Sequence, residues 1–190
     1  TNSVRDQILD EAALPVRMTA LTPCFRSEAG AAGRDTKGLI RQHQFEKVEM
    51  FVFCEPDQSE DELRNLVGRA RAIAEQLELP HRVIQLCSGD LDFKATMGFD
   101  VEIWSPGIGE WLEVSSASNC LDFQSRRANI RYRPAPDAPT RYPHMLNASG
   151  LAPGRTLIAI LENYQQDDGS VVVPEVLRRY VGADVISPPE

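Results

Sequence analysis

A chain of 190 residues with 42% apolar and 25% charged residues lies in the ordinary range for one globular domain with a sizeable core, which excludes disorder as the starting assumption. The formal net charge of −8 excludes a surface that binds nucleic acid everywhere, so any polyanion has to be met at a focused site. No apolar run reaches the roughly 18 residues that span a bilayer, and the polar start, Thr1 to Asp10, has neither a basic n-region nor an apolar h-region, so a soluble, unexported protein with no membrane partner is expected.

The chain opens without an initiator methionine on Thr1-Asn2-Ser3, runs into a helical-looking Arg5 to Glu11, and is expected to be the C-terminal part of something longer. Met18 to Phe25 and Phe45 to Cys54 are short runs rich in β-branched and aromatic residues and predict two strands. Gln58 to Leu79 predicts a helix: Ser59 and Glu62 fit a capping box, Leu63, Leu66, Val67, Ala70, Ile73, Ala74 and Leu77 recur at three and four, and Pro80 supplies a stop. Three more strands are predicted over Arg82 to Cys87, Phe99 to Trp104 and Glu110 to Ser118. The Pro-rich Arg131 to Arg141 predicts an exposed connection. A late helix is predicted after Gly150-Leu-Ala-Pro-Gly154, from Arg155 to about Tyr164, and Pro174 opens a last short one near Glu175 to Tyr180. Strands in runs with helices set apart point to an α+β domain around a mainly antiparallel sheet, with no internal repeat and no second domain.

Cys24, Cys54, Cys87 and Cys120 are spread without a C-x-x-C spacing, which argues for free thiols in a reducing cytoplasm and against a zinc knuckle or disulfide framework. His43, His81 and His144 have no zinc-type partner spacing and are expected to be structural or surface residues.

Four stretches carry possible chemistry. Residues two apart on a strand share a face, so Arg26 with Glu28, and Phe45 with Lys47 and Glu49, offer an arginine, carboxylates and a ring either to one cleft or to an ordinary salt-bridged sheet face. Between them Gly33-Arg-Asp-Thr-Lys-Gly38 has the G-x-x-x-x-G spacing, but Leu39 and Ile40 stand where a phosphate loop needs its lysine and hydroxyl. Arg34, Lys37 and Arg41 there suit either a nucleic-acid backbone or a solvated turn. Arg155, in the first turn of an apolar helix, has to reach solvent, a bound anion, or Glu162 about two turns on. Finally, Glu113 and Ser116 suit a hard cation such as Mg²⁺ or are polar strand-end residues, and being three apart they share a face only across a bulge or at a strand end.

Taken together, Phe25-Arg-Ser-Glu28, Gln44-Phe-Glu-Lys-Val-Glu49, Glu113-Val-Ser-Ser116, Asn147-Ala-Ser-Gly-Leu-Ala-Pro-Gly-Arg155 and Leu161-Glu-Asn-Tyr-Gln165 resemble the catalytic core of a bacterial-type seryl-tRNA synthetase, from Thr1 to about Tyr180. The resemblance implies a class II aminoacyl-tRNA synthetase fold, an antiparallel sheet flanked by helices, of which residues 1–190 are a partial catalytic domain. It implies an ATP-dependent ligase that activates serine to seryl-adenylate, transfers it to tRNA(Ser), uses Mg²⁺ and is a homodimer at full length. The N-terminal tRNA-binding helical arm, motif one and a Thr-x-Glu stretch would all precede Thr1.

Carried over residue by residue, the resemblance makes Arg26 and Arg155 catalytic, gripping the α- and γ-phosphates of ATP. Glu28 lies beside the adenine and Phe45 stacks on it, with Ser27, Val114 and Ser115 also on ATP. Glu113 and Ser116 hold the bridging Mg²⁺, and Glu49, Asn147 and Ser149 recognise serine. Two alternatives stand beside this: a non-catalytic paralogue acting as an RNA-binding or interaction module, and ligation of an amino acid to a carrier protein by the zinc-using branch, for which no zinc-ligand pattern is present.

Overall fold

A computed structural model of the chain describes residues 1–27 and 39–188. In chain order the elements are β1 (Ile8–Asp10), β2 (Val16–Phe25), β3 (Gln44–Cys54), α1 (Ser59–Gln76), β4 (His81–Gln85), β5 (Met97–Ser105), β6 (Glu110–Asn119), α2 (Phe123–Arg127), β7 (Arg131–Arg133), β8 (His144–Leu151), α3 (Pro153–Tyr164), β9 (Val171–Val172), α4 (Glu175–Val181) and β10 (Val185–Ile186). The five predicted strands, the long helix and the two late helices are all present, with ends shifted by a few residues.

Six strands form one antiparallel sheet in the order β2-β3-β8-β6-β5-β4. Alternation along the strands divides their side chains between its two faces. On one face Val52 and Cys54 of β3, Ala117 of β6 and Leu146 and Ala148 of β8 pack under Leu63 and Leu66 of α1. Farther along, Ala70, Ala74 and Leu77 meet Val101, Ile103, Val114 and Ala159 of α3. On the opposite face Phe53 and Met145 pack with Ala128 and Ile130 and with the N-terminal Val4, Leu9 and Leu14. That cluster covers one end of the face, and the polar residues of the candidate site lie beyond it.

Several expectations are corrected. Arg5 to Glu11 is not a helix but short 3₁₀ turns around β1, which pairs in parallel with β7 through Ile8↔Arg131 and Leu9↔Tyr132. Tyr132 is only 1% exposed, so the start of the Pro-rich segment is anchored in the core instead of running over the surface. Ser59 and Glu62 do not form a capping box. The Ser59 hydroxyl donates to the Pro56 carbonyl at 3.0 Å and Glu62 pairs with Arg17 at 2.5 Å, while the 3₁₀ turn Pro56–Gln58 leads into α1. The helix ends at Gln76, ahead of Pro80, and Glu78 turns the chain with φ 53. Strand β8 was not expected, because Asn147, Ser149 and Gly150 look like loop residues; burial of Met145, Leu146 and Ala148 in mid-sheet overrides local preference.

All four cysteines are free, and burial pushes the Cys54 thiol up to about 12, which makes it an inert core residue. Among the described residues no helix is long and apolar enough to cross a membrane.

Candidate active site

Two bulges build the site. Strand β6 pairs with β5 as Val101↔Ser115 and then Glu102↔Glu113, so Val114 is an extra residue and its side chain turns into the core. Without that insertion Glu113 and Ser116 would face opposite ways; with it both lie on the face away from α1, opposite Glu102 and Asp100. The second bulge is in β8, where Val48↔Leu151 is followed by Glu49↔Ser149 and Gly150 is the extra residue. Its backbone passes close to β3, and a Cβ there would stand 3.4 Å from Met50 Cγ.

Strands β6 and β8 are paired from Asn119↔Leu146 to Ala117↔Ala148 and part where the bulges begin. The Ser115 hydroxyl donates to the Ser149 carbonyl across the opening, tying the two bulged segments together. Helix α3 starts immediately after β8, with Pro153 in its first turn, and so delivers Arg155 to the same opening. Arg155 Nη1 donates to the Glu113 carbonyl at 2.6 Å and lies 3.8 Å from Glu113 Oε2, and its Nε donates to the Ile40 carbonyl at 3.4 Å. Glu162 is not its partner. That carboxylate accepts from the Ser105 hydroxyl and, at 3.1 Å, from the Gly107 N–H, which pins α3 to the β5–β6 turn.

On β3, the Phe45 ring lies under the Arg26 guanidinium, 5.0 Å from centroid to Cζ. Two residues on, Lys47 Nζ is 2.6 Å from Glu49 Oε2, and Asn147 Nδ2 donates to Glu49 Oε1 at 3.3 Å. The Glu49 side chain is 13% exposed, and its Oε2 accepts no hydrogen bond of ordinary geometry, leaving lone-pair capacity beside the ammonium charge.

Arg26, Phe45, Lys47, Glu113, Ser149 and Arg155 thus line one open cleft of about 670 Å³, its mouth included, with Val114 in its wall. Glu49 and Asn147 adjoin it through the Lys47 contact and the β8 register, and Ser116 stands on the same sheet face across from Asp100. The Ser115 hydroxyl is taken by Ser149, and Ser27 is exposed beyond the end of β2. Glu28, Arg34 and Lys37, with the glycines of that stretch, lie outside the described residues.

One residue of this face was missed in the sequence. Asp100 sits in β5 directly opposite Ser116, half-buried, with Oδ1 sealed from solvent and unpartnered. Burial pushes its carboxyl above the usual range, the facing Ser116 hydroxyl works the other way, and nearby Glu113 and Glu102 push it up again. The signal was the alternation of Asp100 and Glu102 with Val101 and Ile103, which says that one face of β5 is core and the other is not. Glu102 itself is held by Arg82 Nε at 2.5 Å, and Arg82 stacks over Trp111 at 4.6 Å.

Residues 1–164 match the family described as tRNA synthetase class II core domain (G, H, P, S and T). The chain is 60% identical over 182 residues to a serine–tRNA ligase of Nitratidesulfovibrio vulgaris strain Hildenborough, a match that covers 96% of this chain and 43% of the relative. It is also 60% identical to a serine–tRNA ligase of Novosphingobium aromaticivorans, again with 96% and 43% covered. Among solved structures it superimposes on seryl-tRNA synthetase from Pyrococcus horikoshii complexed with ATP, with a TM-score of 0.96 and 46% identity over 100% of this chain and 42% of that one. It also superimposes on cytoplasmic serine-tRNA ligase from Naegleria fowleri in complex with AMP, with a TM-score of 0.93 and 38% identity over 100% and 45%. The chain therefore spans less than half the length of these relatives. The six-stranded antiparallel sheet flanked by helices is the class II aminoacyl-tRNA synthetase core, and the chain belongs to the class II tRNA synthetase core-domain family.

Proposed function

We propose that this chain is the catalytic core of a serine–tRNA ligase, which activates serine with ATP to seryl-adenylate and transfers the seryl group to tRNA(Ser). The observation that carries the reading is the convergence of Arg26, Phe45, Glu113 and Arg155 on one cleft with the Glu49–Asn147 pair beside it. The relatives named as serine–tRNA ligases, and the neighbours solved with ATP and AMP, support it.

Adenylate formation needs no general base: the serine carboxylate attacks the α-phosphate in line and pyrophosphate leaves, so the site has to align two anions and stabilise spreading charge. Phe45 offers a face to the adenine, Arg26 contacts the α-phosphate and Arg155 the γ-phosphate, with Ser27, Glu28, Val114 and Ser115 completing the nucleotide site. Serine lies against Glu49, Asn147 and Ser149. Glu49 accepts the substrate hydroxyl, and alanine would leave that half-buried carboxylate unsatisfied.

The β6 bulge aims a carboxylate and a hydroxyl the same way, so Glu113 and Ser116 fit a hard cation that keeps most of its coordination for phosphate and water. Mg²⁺ bound there would neutralise phosphate charge. In the whole protein we place this core in a cytoplasmic homodimer whose motif one and tRNA-binding helical arm lie outside residues 1–190. Serine-dependent exchange of pyrophosphate into ATP, measured on the full-length protein, tests the reading, and exchange with no amino acid would overturn it in favour of a non-catalytic binding module.

A further inference from the structure

A serine hydroxyl that ligates a cation must aim an oxygen lone pair at the metal and give its single proton to something else. Among the described residues, the sheet register sets one carboxylate directly across from Ser116 for that proton. Asp100 is its direct cross-strand partner in the β5–β6 register, so the carboxylate and the hydroxyl stand side by side on one face of the sheet. The Asp100 Oδ1 is buried and accepts no hydrogen bond, whereas its neighbour Glu102 is held by Arg82. A residue kept on this face only for solubility would be solvated or ion-paired; among the described residues Asp100 makes no salt bridge, its Oδ1 is closed off from solvent, and it faces a hydroxyl.

We propose that Asp100 is a positioning residue for the cation of the ATP site: it accepts the Ser116 hydroxyl proton, turns the Oγ lone pairs toward the cation, and fixes the hydroxyl at the spacing from Glu113 that the β6 bulge creates. It acts through Ser116 and touches neither substrate nor metal. The inference rests on the assignment of Glu113 and Ser116 to Mg²⁺ made above and adds the residue behind them. Outer-shell partners of this kind commonly change metal affinity 10–100-fold when lost.

The test uses the full-length protein and calorimetric titration of ATP in the absence of serine, with and without saturating Mg²⁺. The readout is the factor by which Mg²⁺ tightens ATP. Ser116→Ala is expected to reduce that factor by about tenfold or more. Asp100→Ala should match it, and the double variant should do no further harm, because both changes break one unit. Asp100→Asn, whose amide oxygen still accepts a hydrogen bond, should keep part of the factor. A merely structural role would weaken ATP with and without metal alike and leave the ratio in place.

If Asp100→Ala keeps the wild-type factor while Ser116→Ala loses it, the positioning role is overturned and the metal assignment stands. If Ser116→Ala and Glu113→Gln both keep it, the metal assignment fails and the role of Asp100 fails with it. Should Asp100→Ala not fold, a wild-type factor in Asp100→Asn is the overturning result.

Discussion

Arg155 Nη1 donates to the Glu113 carbonyl oxygen at 2.6 Å, across the gap where β6 and β8 stop pairing. The guanidinium takes over a backbone acceptor that the bulge has freed from the ladder, which fixes a long side chain at the cleft without burying its charge. The Glu113 carboxylate, at 3.8 Å, neutralises it only in part, so donors remain for an anion. Arg155→Ala is accordingly expected to slow adenylate formation by about 10²–10³-fold, the loss seen when a fixed donor to developing charge is removed. Arg155→Lys should recover little, since an ammonium cannot hold the Glu113 carbonyl and a phosphate with the same fork. Rapid-quench measurement of seryl-adenylate in the full-length protein checks both variants; a normal rate in Arg155→Ala would remove this arginine from the reaction.

Glu49 is expected to govern the choice of amino acid and to matter less to ATP. Its Oε1 is held by Asn147 and its Oε2 stands beside Lys47 with no hydrogen bond made. Loss of one hydrogen bond to a charged group is worth about 1.5–3 kcal/mol, roughly a ten- to hundredfold effect. Glu49→Ala should raise the serine KM by about that factor and erase the preference for serine over alanine in pyrophosphate exchange. An unchanged KM together with unchanged preference would refute the pocket assignment.

The Phe45 ring is covered by the Arg26 guanidinium at 5.0 Å, the position a stacked base would compete for or share. Phe45→Ala should weaken ATP binding by about 1–3 kcal/mol, the usual worth of a base on an aromatic face. With Phe45 on the adenine and Arg26 on the α-phosphate, Arg26→Ala and Phe45→Ala should be close to additive in a double-mutant cycle of ATP affinity. A strongly less-than-additive cycle would mean that ring and cation clamp the same part of the nucleotide.

Much of this site was legible before the structure, and the limits of that legibility have physical reasons. Phe45, Lys47 and Glu49 could be placed on one strand, and Arg26 just past the end of its neighbour, because β2 and β3 pair in simple register, Cys24↔Phe45 through Val16↔Phe53. The Glu113–Ser116 pair could be posed only as a condition, that a bulge exist, since an inserted residue leaves no mark in an alternating run until the partner strand is known. Strand β8 was hidden because Asn147, Ser149 and Gly150 serve the site face while Leu146 and Ala148 serve the core, and local preference sees their sum. β1 and β7 escaped notice for another reason: three residues each, 120 or so apart in sequence, they exist only as a tertiary pairing. Asp100 needed the register itself, for nothing within Met97 to Ser105 says which hydroxyl it will face.

A stability effect with a defined pH window is expected from His144. The residue sits at the start of β8 beside the first turn of α1, with Nδ1 3.0 Å from Ser59 Oγ. Because that hydroxyl gives its proton to the Pro56 carbonyl, Nδ1 is the protonated ring nitrogen and donates to Ser59. Burial pulls the imidazole pKa below its ordinary 6.5, with attraction to Asp122 restoring only part. A depressed histidine pKa means that the unfolded chain takes up the proton first. Above about pH 7 both states are neutral and this residue gives no slope. As the pH falls through 6.5 toward the lower folded value, stability drops by at most about 1.4 kcal/mol per pH unit, and below the folded value the slope ends. Asp122 acts in a lower window, since Arg126 holds its carboxyl below 3.8 and its contribution is lost only as the pH falls through that lowered value. Urea midpoints of the wild type and His144→Gln, compared from pH 7.5 to 5, should therefore diverge in slope only below pH 6.5, with the wild type falling more steeply; parallel profiles would mean that His144 titrates alike in both states.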